Sequence, residues 1–252
     1  MLLSLFKKSP ATPEPAIPAG ERVYAIGDIH GRDDLFARLL RQIAEDRANA
    51  AASRTTLILL GDLIDRGPSS RQVVERAMGV AQEFDAFHLL LGNHEEVFLK
   101  AAGGSREAVR FLVKQMGGGP TIASYGLAGP RYDAMTFEEL ADVMPSLVPP
   151  DHRDFLERGE ELVVVGDYAF VHAGVRPRTP LAAQQGSDLR WIRGDFLDYR
   201  AAHEKVIVHG HTVTPEVEDT GVRIGIDTGA FGTGRLTALV LEGSDRRYLA
   251  TA

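Results

Sequence analysis

Cysteine is absent from this 252-residue chain, which excludes disulfides, thiolate zinc sites and a cysteine nucleophile. A reducing compartment fits that absence without being required by it. No apolar run approaches the ~20 residues that span a bilayer. Lys7 and Lys8 follow a very short apolar stretch, Met1 to Phe6, the reverse of the order in a secretory signal. Positive charge is in deficit: 28 Lys and Arg against 35 Asp and Glu leave a net charge of −7. That balance argues against a broad nucleic-acid or anionic-membrane surface. Tryptophan occurs once, as Trp191, and a lone indole reads as core packing more readily than as the wall of a substrate cleft. What is present, 44% hydrophobic and 25% charged residues, suits a globular protein with a substantial core. These features set the expectation of a cytoplasmic protein with no membrane or nucleic-acid partner, its oligomeric state open.

Pro13, Pro15 and Pro18 mark residues 1–20 as a flexible lead-in. From Arg22 strand and helix patterns alternate. Val23 to Ile26, Thr56 to Leu60 and Phe87 to Leu91 read as buried strands. Phe36, Leu39, Leu40 and Ile43, and then Val73, Val74, Ala77 and Val80, trace amphipathic helices between them. This repetition predicts parallel strands with crossover helices. Residues 101–160 read instead as a small helical insertion. Val109, Leu112, Val113 and Met116 trace one helix, Thr136 with Glu139 forms a capping box opening a second, and a third runs from about Asp151 to Arg158. The last third is β-rich, with Gly166-Asp167 as a tight hairpin turn. The expected architecture is α/β (α+β), a two-sheet mixed β-sandwich flanked by helices on both faces, with residues 21–252 as one domain.

Polar motifs stand at the ends of these apolar runs: Gly27-Asp28-Ile29-His30-Gly31, Gly61-Asp62-Leu63-Ile64-Asp65-Arg66-Gly67, Gly92-Asn93-His94-Glu95, Val171-His172-Ala173-Gly174 and Gly210-His211-Thr212. Ligand sites in open α/β sheets lie beyond the carboxyl ends of the strands, where the first three motifs fall. Each is weak alone: Asp62 fits a helix N-cap, and an isolated His172 fits a core histidine. Together they supply carboxylate, amide and imidazole groups that suit two divalent ions about 3.5–4 Å apart. Manganese, iron or zinc fit this mixed set; magnesium fits less well.

In this order the motifs resemble those of the phosphoprotein phosphatase family of calcineurin-like metallophosphoesterases, and the likeness covers nearly the whole chain from Val23. It implies the metallo-dependent phosphatase fold. It implies one metal ion held by Asp28, His30 and Asp62, and a second held by Asp62, Asn93, His172 and His211. It also implies attack by a hydroxide bridging the two ions, a protonated general acid, His94, oriented by Asp65, and phosphate binding by Arg66 and Arg193. Arg190 is a rival for the role of Arg193. His209 shares a strand face with His211 and is left to packing by the Gly-His-Thr pattern. Val213, where the wider superfamily often has a second histidine ligand, fits the phosphoprotein phosphatase branch. His88, His152 and His203 read as packing or surface residues, and Asp227 as a turn residue at least as well as a catalytic one.

Two substrates follow from that resemblance. Phosphomonoesters, foremost phosphoserine and phosphothreonine on proteins and then phosphotyrosine, rank first. Dinucleoside polyphosphates such as diadenosine tetraphosphate rank second, because the symmetrical hydrolases commonly lack an aspartate at the position of Asp65 and tend to carry Gly-Asn-His-Asp. A non-catalytic binding module ranks last, since every ligand position is filled.

Overall fold

The structure is a computed structural model that describes residues 14–49, 52 and 54–251. Strands β1 (Glu21–Ile26), β2 (Arg54–Leu59) and β3 (Ala86–Leu89) are joined through helices α1 (Asp33–Ala48) and α2 (Ser70–Val80), and α3 (Asn93–Ala102) leaves the third motif. The register Glu21↔Arg54 to Ile26↔Leu59, continued by Thr56↔Ala86 to Leu59↔Leu89, makes the three strands parallel. The side chains alternate as the pleat requires. Tyr24, Ile26, Leu57 and Leu59 pack beneath Phe36, Leu39, Ile43, Val73 and Val74 of the two helices. Each such fully buried side chain contributes roughly 1.5–3 kcal/mol. Val23, Ala25, Ile58 and Leu60 point the other way, into a second core.

That second core is closed by another sheet. It contains β4 (Val163–Val165), β5 (Tyr168–Phe170), β6 (Val206–His209), β7 (Glu218–Asp219) and β8 (Arg223–Gly225). The order is β4-β5-β6-β8-β7, with Val165↔Tyr168 closing the hairpin over Gly166-Asp167. Its outer face packs on Leu189, Ile192 and Phe196. The chain then returns to the first sheet as the antiparallel pair β9 (Thr237–Glu242) and β10 (Asp245–Ala250), giving the order β10-β9-β1-β2-β3. The molecule is therefore a helix–sheet–sheet–helix sandwich, as the pattern of apolar runs predicts.

Residues 101–160 hold α4 (Arg106–Phe111), a π-helical turn (Leu112–Met116), α5 (Gly119–Ser124), α6 (Pro130–Asp133), α7 (Phe137–Leu147) and α8 (Pro150–Glu157). The capping box forms: Thr136 Oγ1 accepts from Glu139 N–H, and Glu139 Oε2 accepts from Thr136 N–H at 2.8 Å. Val109, Leu112, Leu140 and Met144 join the same core as α1 and α2. Residues 15–17 depart from the flexible lead-in expected over 1–20. Ile17 is buried and donates its N–H to Gly243 O at 2.9 Å, and Tyr168 Oη donates to Pro15 O at 3.2 Å. The earlier part of that segment, residues 1–13, lies outside the described residues. Among the described residues no helix is long and apolar enough to cross a membrane.

Candidate metal centre

Five of the six non-glycine residues with positive φ among the described residues are His30, Asp62, Asp65, Arg66 and His211. The left-handed region is unfavourable for residues with a Cβ and persists where the surroundings over-determine it. All five belong to the strand-end motifs, where the chain must turn sharply to aim a side chain back over the sheet edge. Two motif glycines are required by close approach. A Cβ on Gly210 would lie 2.0 Å from Asp28 Oδ1, and one on Gly92 would lie 2.3 Å from Asp62 Oδ1.

Asp28 and His30 follow β1, Asp62 follows β2, Asn93 opens α3, and His172 and His211 follow β5 and β6. All six side chains are buried in one cluster at the joint edge of the two sheets. One donor atom each of His30, Asp62 and His94 lies within 4.8 Å of the others, and the same holds for Asp62, His172 and His211. Asp62 belongs to both groups. Asn93 Oδ1 stands 3.0 Å from His172 Nε2 and 2.9 Å from His211 Nδ1. The Asp28 carboxylate accepts the His211 N–H at 3.0 Å, tying the first motif to the last.

The protonation of these histidines shows what the cluster fits. His172 Nδ1 lies 2.7 Å from the carbonyl of Leu60, and His30 Nδ1 lies 2.7 Å from that of Ile64, so each Nδ1 carries the hydrogen and donates. Burial pushes His172 down to about 3 and His30 well below the usual imidazole range. Both rings are neutral, with the Nε2 lone pair turned inward. His172 Nε2 then faces Asn93 Oδ1 and, at 3.4 Å, Asp62 Oδ1, with no hydrogen to share. His30 Nε2 is buried without a hydrogen-bond partner, as is His211 Nε2. Burial also pushes His211 down to about 2. Lone pairs converging without a proton between them repel, and a cation among them removes the repulsion. Carbonyl-anchored Nδ1–H groups are the usual support of imidazole ligands.

The carboxylates tell the same story from the other side. Burial, then the neighbouring Asp227 and Asp62, hold Asp28 well above the usual carboxylate range; burial, then Glu95, does so for Asp62. Acidic groups this crowded and dry ionise readily only against positive charge. The donor set therefore fits divalent cations.

Beside the cluster, His94 Nδ1 lies 2.7 Å from Asp65 Oδ2. His94 Nε2 is 3.2 Å from Arg66 Nη2. Arginine can only donate, so Nε2 accepts and Nδ1–H donates to Asp65. Burial, then Arg66, pushes His94 down to about 3, while burial pushes Asp65 up to about 7. The pair thus holds one proton, on the Asp65 side of the ring. The outer nitrogen, where the resemblance puts the acid's proton, faces the Arg66 guanidinium in this arrangement.

Sequence patterns missed the supports of this pair. Thr121 Oγ1 donates to Asp65 Oδ1 at 2.7 Å, and the Asp65 N–H is accepted by Thr121 Oγ1 at 2.9 Å. Arg66 N–H donates to Gly117 O at 3.0 Å. The insertion therefore backs the second motif. Glu95 accepts N–H groups from Asp62 and Leu63, each at 2.8 Å, and from Gly92 at 3.1 Å. Asp227 is buried; its Oδ1 accepts the Gly229 N–H at 2.9 Å, which makes it the turn residue anticipated, while its Oδ2 has no hydrogen-bond partner.

The structure distinguishes the two rival arginines. Arg190 bonds Glu96 at 2.9 Å and also Glu161, whereas the exposed Arg193 side chain has no acidic partner among the described residues. Its charge is felt at His94, His172 and His211. Arg66, also free of carboxylates, lies over the Phe231 ring at 4.6 Å. His209 turns away from the cluster, packing edge-on against Phe196 at 5.0 Å, and His152 packs against Tyr125 at 5.7 Å. Trp191, expected in the core, is 37% exposed.

The family model for calcineurin-like phosphoesterases matches residues 21–225. The chain belongs to that family. Its members are metal-dependent phosphoric ester hydrolases with two metal ions. The phosphoesterase is 36% identical over 157 residues to a symmetrical bis(5'-nucleosyl)-tetraphosphatase of Delftia acidovorans, a stretch that covers 62% of this chain and 45% of that protein. The match thus spans less than half the length of this curated relative. A protein of the same name from Nitrosococcus oceani is 26% identical, with 90% of this chain and 95% of the relative covered. A solved structure provisionally named a diadenosine tetraphosphatase superposes with a TM-score of 0.62 at 20% identity, covering 94% of this chain and 98% of the other. It shares the fold.

Proposed function

We propose that this phosphoesterase is a symmetrical dinucleoside tetraphosphate hydrolase, with residues 21–252 as a single catalytic unit. Water attacks a phosphorus beside the central bridging oxygen, the central P–O bond breaks, and two nucleoside diphosphates leave. The observation that carries this reading is the similarity to proteins named symmetrical tetraphosphatases, at 36% identity over most of the chain and at 26% over nearly all of it. It reverses the sequence-based ranking, which put phosphoprotein first on the strength of Asp65 and Glu95. The contacts of those residues explain why they are poor guides. Glu95 spends its oxygens on backbone N–H groups of the second and third motifs, and Asp65 is fully buried behind His94. Both carboxylates are bonded to protein groups.

In this reading Asp28, His30, Asp62, Asn93, His172 and His211 hold two divalent ions, manganese being the first to try and iron or zinc the alternatives. Such ions, when bound, acidify water and polarise phosphoryl oxygens. Arg66 and Arg193, the two arginines without carboxylate partners at the site, take the non-bridging phosphate oxygens in paired hydrogen bonds. When Arg66 turns to the substrate it releases His94 Nε2, which is then free to take up a proton and pass it to the departing oxygen, its ring held by Asp65. A diphosphate is a weak base and departs with little help from an acid. A serine alkoxide is a strong base and depends far more on that proton.

The test is a parallel panel with manganese: diadenosine tetraphosphate, and phosphoserine, phosphothreonine and phosphotyrosine peptides. Fast conversion of the tetraphosphate to ADP alone is expected, with slow peptide turnover. Faster phosphate release from the peptides restores the protein phosphatase reading.

A further inference from the structure

The single tryptophan is poorly placed for core packing and well placed for a ligand. Trp191 ends the helix Gly186–Trp191, two residues before Arg193, and both line one open cleft of about 530 Å³. Its indole Nε1 donates to Glu96 Oε2 at 2.9 Å. Glu96 is itself gripped by Lys100 at 2.6 Å and Arg190 at 2.9 Å. Glu96 stands on α3, the helix that begins with Asn93 and His94. The indole is thus clamped to the element carrying the site, yet 37% exposed, with the equally exposed Phe111 ring tilted against it at 6.4 Å. The cleft's other arginine, Arg176, is committed to Asp188 at 2.7 and 2.6 Å, so Arg193 is the free cation there.

We propose that Trp191 is the surface on which one nucleobase of the substrate stacks, with Arg193 holding the phosphate chain beside it. The proposal rests on the tetraphosphatase reading, since a base-free phosphoester would use Arg193 and leave the indole idle. Stacking of a base on an aromatic ring tolerates any base and gains from a ring fixed in advance. The Glu96 clamp provides that fixity.

Because Trp191 is the only tryptophan, the emission of the whole chain reports this position. Titration with α,β-methylene ADP is expected to quench or shift it saturably, and tripolyphosphate, which has no base, is not. Trp191→Ala should lower kcat/KM for diadenosine tetraphosphate relative to tripolyphosphate about tenfold or more, through KM, while Trp191→Phe keeps the ratio within about threefold of wild type. Turnover of the tetraphosphate with unchanged emission and an unchanged Trp191→Ala ratio overturns the stacking role alone. If Trp191→Ala fails to fold, the emission titration still decides: a silent titration overturns the proposal. Saturable quenching by the nucleotide without tetraphosphate hydrolysis leaves the stacking site standing and overturns the reading of the reaction instead.

Discussion

The Glu95 carboxylate accepts the Asp62 backbone N–H at 2.8 Å, while a Cβ on the intervening Gly92 would lie 2.5 Å from that same carboxylate. The contact locks the second motif to the third and holds Asp62 in its left-handed conformation. Glu95→Asp, one methylene shorter, is expected to lower manganese affinity about 10–100-fold, the range typical of residues that support ligands. Calorimetric titration with manganese measures this. The ranking of tetraphosphate over phosphopeptides should survive; a reversed ranking would give Glu95 a part in substrate choice.

His94→Asn should spare metal content and reduce turnover. The loss is expected to be about 10²–10⁴-fold on alkyl phosphates, which need a proton for the leaving alkoxide. On diadenosine tetraphosphate it should be smaller. Equal losses on both would mean that the acid is needed whatever departs.

Arg190 and Arg193 should separate cleanly. Arg193→Ala is expected to raise KM about tenfold or more at unchanged Tm, since its side chain bonds no protein acid. Arg190→Ala breaks its contacts with Glu96 and Glu161 and should lower Tm by a few degrees, about 1 kcal/mol for a chain of this size. Thermal melts and initial rates on both variants suffice, and a Tm drop confined to Arg193→Ala contradicts the assignment.

Metal removal should be felt more at high pH. Burial holds Asp28 and Asp62 well above the usual carboxylate range in the metal-free chain. From about pH 4, where carboxylates of the unfolded chain titrate, up to those raised values, the folded form binds more protons than the unfolded one. The stability due to these groups is fully present below that window and is lost as pH rises through it. A divalent ion displaces those protons and restores stability. The Tm gap between manganese-loaded and chelator-treated protein should therefore be wider at pH 8 than at pH 6. A gap that narrows would remove the two aspartates from the site.

Gly210→Ala places a Cβ 2.0 Å from Asp28 Oδ1. The carboxylate cannot stay where it is, so both bound metal and Tm should fall. Gly232→Ala, with nothing within 4 Å, is the matched control. Normal metal content in the Gly210 variant would show that the Asp28 position is not required.

The two-sheet sandwich and the clustered polar side chains were legible because their physics is local. Alternating apolar residues build strands, and a metal cluster admits few residue types. Residues that act through distant contacts were not legible. Thr121 reaches Asp65 across the helical insertion, and nothing in Gly119-Pro120-Thr121 announces it. Arg190 and Arg193 look alike in sequence, and only the carboxylates around Arg190 tell them apart. Trp191 was misjudged because a single indole carries no period, and its distant partner, Glu96 of α3, accepts its N–H from 95 residues away. The substrate ranking leaned on two acidic residues whose oxygens turn out to serve the backbone and a ring nitrogen.

The candidate ligands are divided between the layers: Asp28, His30, Asp62 and Asn93 come from the edge of the first sheet, His172 and His211 from the second. The set proposed for the first ion, Asp28, His30 and Asp62, lies on the first sheet alone, whereas the set proposed for the second is completed only by His172 and His211 across the sandwich. Under the proposed assignment the second ion's site therefore comes into being only when the two sheets dock in register, so binding that ion also reports that the sandwich has closed.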